Sequence, residues 1–196
     1  MARCSRTLGA LAVLSGMATA LPAGAEEAPG DRPNAVTMFG AWMTDNNWTE
    51  IALLDDVGMR DAYLVGGALS HELAGNDYWA IEAEGQLARH FGRNHHWEGN
   101  ALLVGRWRAF PWDDAVPTSL AFGIGPSLAS EVPNEERARS GGSAAFMLYW
   151  MAEVEAGPAD SSWSGIARLH HRSSGYGLFA ERGGSNWLTL GLRHRF

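Results

Sequence analysis

The chain has 196 residues, with 15 basic and 22 acidic side chains and a formal charge of −7. Every basic residue is arginine, and an acidic chain without a basic face excludes nucleic acid as a partner class. The single cysteine, Cys4, excludes a disulfide framework, so stability has to come from the fold itself.

In chain order, Arg3 and Arg6 precede an apolar stretch from Leu8 to Leu21, and Ala23-Gly24-Ala25 then supplies small residues before Glu26. That is the three-part layout of a cleaved secretory signal. The apolar stretch is shorter than the ~20 residues a spanning helix needs. Residues 1–25 are therefore predicted to be removed, taking Cys4 with them. Residues 26–34 are expected to form a short periplasmic segment, and residues 35–196 a single domain.

No later apolar run is long enough for a transmembrane helix. Apolar and polar residues instead alternate over segments of about ten residues, the period of strands. Eight are predicted: Ala35–Met43, Asp61–Glu72, Tyr78–Arg89, His96–Phe110, Thr118–Ser130, Ser143–Ala156, Ser162–His171 and Asn186–Phe196. In the third, Trp79, Ile81, Ala83 and Leu87 share one face, and Glu82, Glu84 and Gln86 share the other. In the fourth, Ala101, Leu103 and Trp107 oppose Arg106 and Arg108. In the sixth, Phe146, Leu148, Trp150 and Ala152 oppose Tyr149, Glu153 and Glu155. A dense Trp, Phe and Leu face fits lipid outside and a polar interior. A soluble lipocalin-like barrel is the competing explanation.

The connections favour the membrane. Thr44–Arg60, Glu131–Gly142 and Arg172–Ser185 are long, whereas Leu73–Asp77, Pro111–Pro117 and Gly157–Ser161 are short, with Phe91–His95 the exception. Long outer loops and short periplasmic turns mark outer-membrane barrels. The final strand closes on Phe196, like the C-terminal signature of such proteins. Trp42, Trp79, Trp97, Trp163 and Trp187, near strand ends, fit interfacial girdles. The predicted fold is an all-β, eight-stranded antiparallel transmembrane β-barrel of the outer membrane.

Chemistry concentrates in the last hairpin. By strand parity Arg168 and His170 face the interior. His171, Ser173 and Asn186 lie on the lipid-facing side at the outer rim, where polar groups are costly. A serine beside a histidine oriented by a third polar group is an arrangement that activates a hydroxyl nucleophile. An ordinary polar start to an outer loop accounts for the same three residues. His95-His96 suggests a paired metal site, but adjacent strand positions face opposite ways, so a loop is expected there. Glu135-Glu136 with Arg137 and Arg139 reads as a solvated loop. Asp55-Asp56 lacks a completed oxygen cage for a divalent cation.

Arg168-x-x-His171-x-Ser173, then Gly-Ser-Asn186 and a terminal strand ending in an aromatic, resembles the PagL-type lipid A 3-O-deacylases. Phe122-Gly-Ile-Gly-Pro126 is similar to that family's glycine-rich fifth strand. The resemblance implies an outer-membrane serine esterase that cleaves the 3-linked acyl ester of lipid A, its partner being lipopolysaccharide of the outer leaflet. It maps Ser173 to the nucleophile and His171 to the base. The third position, a glutamate in the family, aligns with Asn186, and Glu181 in the intervening loop is a rival. The family also favours asparagine where this chain has Ser174, so backbone N–H groups around Ser174-Gly175 are expected to stabilise the oxyanion. This chemistry implies no metal and no organic cofactor. A non-enzymatic barrel acting through its outer loops, and an acyltransferase with an acyl cavity in the barrel, are the other functions considered. A homodimer is left open.

Overall fold

The computed structural model describes residues 32–53 and 57–196. The predicted signal, its cleavage site and Asp55-Asp56 lie outside the described residues. Eight strands are present among them: β1 (Asn34–Thr44), β2 (Met59–Gly75), β3 (Trp79–Gly92), β4 (Trp97–Trp107), β5 (Thr118–Ala129), β6 (Phe146–Ala156), β7 (Trp163–Ser173) and β8 (Gly184–Arg195). Each pairs antiparallel with its sequence neighbours, and β8 returns to β1, so the sheet closes into a barrel without edges. The ends differ from expectation by a few residues. β2 begins earlier and ends later, β4 stops at Trp107, and β7 runs on through Ser173.

Alternation around the closed sheet sends charge inward and hydrocarbon outward. Arg106, fully buried, donates to Glu82 at 2.8 Å, to Glu155 at 2.8 Å and to Glu153 at 3.0 Å. Arg168 joins Glu153 to Glu84, and Arg193 joins Glu82 to Glu84. Buried charges need such partners, because desolvation without them is prohibitive. Two apolar clusters flank this ladder, one around Phe39, Leu64 and Trp187, the other around Val104, Tyr149 and Met151. The outer wall is the reverse: Met38, Leu69, Leu87, Leu103, Phe122, Leu190 and Leu192 are all exposed. A wall of this kind is stable against lipid and unfavourable against water.

Links 76–78, 108–117 and 157–162 lie at one end with the hydrogen-bonded pair Asn34 and Phe196. Links 45–58, 93–96, 130–145 and 174–183 lie at the other. Two of these carry short helices that period-two alternation does not reveal, α1 (Trp48–Leu53) and α2 (Asn134–Ser140). The second overturns an expectation. Glu135 and Glu136 are buried, not solvated, because α2 folds over the barrel mouth. There Glu136 accepts from Arg172 at 3.0 Å and Ser143 at 2.9 Å.

Four of the five proposed girdle tryptophans are exposed, but Trp187 is not. It sits between the outward positions 186 and 188, so it points into the barrel, where its indole N–H donates to Ser185.

Candidate active site

The site is a row across four neighbouring strands at the outer rim. His171 of β7 is paired in register with Trp150 of β6 on one side and with Asn186 of β8 on the other. Asn186 is in turn paired with Thr44 of β1. All four point away from the lumen, so strand pairing alone sets them side by side. The Trp150 ring lies 4.4 Å from the His171 ring, centroid to centroid, and backs one flank of the imidazole.

Nδ1 of His171 is 2.5 Å from Oδ1 of Asn186. The asparagine cannot turn its amide around, because its Nδ2 donates to the Asn46 carbonyl at 2.7 Å. Oδ1 is therefore the acceptor and His171 Nδ1 carries the proton. In the neutral ring Nε2 is left with a lone pair, the state a general base requires.

Asn46 is held from several directions. Its side-chain oxygen accepts from Thr44 Oγ1 at 2.9 Å, and its backbone N–H donates back to Thr44 Oγ1 at 3.1 Å. Its carbonyl also accepts from Arg139 of α2 at 2.7 Å. The same guanidinium donates to the Asp45 carbonyl at 3.1 Å and the Gly184 carbonyl at 3.1 Å. One arginine thus ties the first outer loop, α2 and the start of β8 together beside the row. Burial draws the Arg139 guanidinium below its ordinary pKa, and the nearby Asp45 carboxylate works against that.

Ser173 lies two residues beyond His171 on the same face, opposite Leu148 and Gly184. Its Oγ accepts from the Gly175 N–H at 3.2 Å. Among the described residues no hydrogen bond joins Ser173 to His171. Gly184, at φ +155°, keeps the space beside the serine clear. A Cβ there would lie 3.0 Å from the Arg172 carbonyl and 3.9 Å from both the Ser173 Cα and the His171 Cε1.

The other sequence candidates separate cleanly. Glu181 is exposed in the 174–183 link, and Asn186, not Glu181, contacts His171. His170 is buried on the lumen side, between Glu98 at 2.9 Å and Tyr149 at 3.1 Å, as its parity requires. Asn186 faces outward as expected but does not meet lipid. The first outer loop covers it, leaving it 1% exposed. The amides expected to stabilise an oxyanion are already engaged: Ser174 N–H with the Gly183 carbonyl at 3.3 Å, Gly175 N–H with Ser173 Oγ. Thr44, Asn46, Arg139 and Trp150 were absent from the sequence-level site. Parity could have found Thr44 and Trp150, since both continue an outward row.

Solved structures identify the barrel type. The crystal structure of the outer membrane enzyme PagL superposes with a TM-score of 0.55 at 14% identity, covering 82% of this chain and 99% of that one. The crystal structure of Neisserial surface protein A gives 0.52 at 10% identity, covering 83% and 97%. No protein-family model matches the chain, and no curated protein matches it in sequence. At these identities the likeness is one of fold: a closed eight-stranded barrel of the outer-membrane type, found in one protein described as an enzyme and in one described as a surface protein.

Proposed function

We propose that this protein is an outer-membrane serine esterase that removes the 3-linked acyl chain of lipid A in the outer leaflet. The observation that carries the reading is the fixed pair His171–Asn186 beside Ser173 on the outer wall, with the imidazole held in the tautomer of a general base.

In this scheme the Ser173 hydroxyl attacks the ester carbonyl while His171 Nε2 takes its proton. The tetrahedral intermediate collapses with release of the sugar hydroxyl, which receives that proton from His171. Water then hydrolyses the acyl-serine by the same route and frees the fatty acid. The Gly175 N–H, already directed at Ser173 Oγ, is the donor best placed to turn onto the oxyanion. Below the row, Ala152, Ala167, Leu169, Leu188 and Leu190 form an apolar strip on the outer wall, against which an acyl chain can lie. A substrate arriving laterally in the leaflet meets the site without entering the barrel. The described lumen is filled by the arginine–glutamate ladder, which disfavours an acyltransferase that stores its acyl chain inside.

A second reading has its own support. Trp48, Leu53, Tyr176 and Leu178 stand exposed on the outer loops, an apolar display suited to adhesion by a non-enzymatic barrel. Mass spectrometry of lipid A from cells with and without the protein separates the two. The esterase reading expects loss of one 3-linked acyl chain, and an unchanged spectrum supports the adhesive one.

A further inference from the structure

A second constellation lies inside the mouth of the barrel, on the opposite side of the sheet from the row just described. His90 near the end of β3 and His96 before β4 close the 93–96 turn, with the His90 N–H bonded to the His96 carbonyl at 2.9 Å. Glu98 follows two residues later on the same face. All three are buried, at 1%, 2% and 0% exposed. The two imidazoles stack with centroids 4.0 Å apart, and each of the three residues offers one donor atom within 4.8 Å of the others.

Two features set this group apart from an ordinary buried hydrogen-bond cluster. Nε2 of His96 has no hydrogen-bond partner, although the atom is inaccessible. Orphaned polar atoms at such depth are rare in native proteins and need a reason. The carboxylate, by contrast, is firmly oriented. Glu98 Oε1 accepts from Asn100 at 2.9 Å and meets His170 Nε2 at 2.9 Å, while Oε2 lies 3.0 Å from His90 Nε2, and these two atoms would exchange their mutual contact for bonds to a bound ion. Outer partners of this kind fix metal-binding carboxylates and histidines. Arg172 stands 3.8 Å from Glu98, but its Nη1 is engaged by Glu136 at 3.0 Å, so Glu98 is not its principal partner.

We infer that His90, His96 and Glu98 form a binding site for one divalent first-row transition ion of the zinc class. Two imidazoles and one carboxylate are a zinc-type donor set, with a fourth position for water. Calcium and magnesium prefer all-oxygen ligands and are poor candidates. The ion would pin the β3–β4 hairpin beneath α2, whose Glu135 N–H is already anchored to Asn94 of the same turn at 3.2 Å. The inference is independent of the esterase reading, since it uses the lumen side of the rim.

The test uses the tag-free barrel folded in detergent and titrated with zinc chloride, with magnesium chloride as the control. The expected result is one zinc per barrel, a melting temperature raised by zinc and restored by chelator, and no response to magnesium. His96→Ala should weaken zinc binding by more than about 100-fold, beyond the loss typical of an outer-partner change. His95→Ala, which alters the exposed neighbour, should leave it intact. X-ray absorption at the zinc edge on the unmutated protein removes any dependence on how the variants fold. Two imidazole nitrogens and carboxylate oxygen in the ligand sphere support the site. An all-oxygen sphere, absence of stoichiometric zinc, or equal binding by His96→Ala would overturn it.

Discussion

Replacing Asn186 by alanine removes the acceptor 2.5 Å from His171 Nδ1 and nothing else that touches the imidazole. The Trp150 ring still backs one flank, but the imidazole becomes free to swing and to adopt the tautomer with its proton on Nε2. In that form it cannot take the serine proton. Loss of an orienting group in such constellations costs about 10²- to 10⁴-fold in kcat, or about 3 to 5 kcal/mol of transition-state stabilisation. Folding should suffer less. The lost bond to the Asn46 carbonyl contributes about 1 kcal/mol, and Arg139 continues to hold that carbonyl at 2.7 Å. Asn186→Asp splits the two roles. It keeps an acceptor for His171 but sets a carboxylate oxygen against the Asn46 carbonyl, so it should be more active than the alanine variant and no more stable than the parent. The assay is initial-rate release of fatty acid from purified lipopolysaccharide in detergent, beside urea unfolding of each variant. An alanine variant within about threefold of the parent would refute the orienting role. Equal rates for alanine and aspartate would show that the acceptor is not what matters.

Four other substitutions test neighbouring parts of the account. Arg106→Met removes a fully buried guanidinium from three carboxylates. It should destabilise the barrel by about 3 kcal/mol or more, since breaking buried pairs leaves uncompensated charge. Arg108→Ala breaks a part-exposed pair with Glu72 and should cost at most about 1 kcal/mol. Heat-induced gel shifts and urea midpoints read both, and equal effects would mean the ladder is not structural. His171→Ala should abolish ester hydrolysis whereas His170→Ala keeps it, because the two rings lie on opposite sides of the sheet; the reverse outcome in the deacylation assay would place the base in the lumen.

Much of this architecture follows from period-two alternation, because strand parity depends only on counting. Glu82, Glu84 and Gln86 face inward, and His170 and His171 separate, for that reason alone. The failures have a common cause. Strand parity says nothing about what covers a strand end, so Glu136 looked solvated although α2 buries it in the barrel mouth. Asn186 looked lipid-facing although the first outer loop seals it. Trp187 was placed by composition near a strand end when its own parity sends it inward. The contacts that fix the site, Asn46 to Asn186 and Arg139 to Asn46, join residues some 90 to 140 positions apart. No local pattern encodes them. His96 reads as a pair with His95, whereas its ring stacks on His90 across the turn.

The most direct test of the central claim is the lipid A mass spectrum of cells expressing the parent or Ser173→Ala at equal levels in the outer membrane. Ser173 Oγ makes a single hydrogen bond among the described residues, from Gly175 N–H, so its removal should leave the barrel folded and heat-modifiable. The account predicts lipid A lacking the 3-linked acyl chain with the parent and fully acylated lipid A with the variant. Deacylation that persists with Ser173→Ala would contradict it.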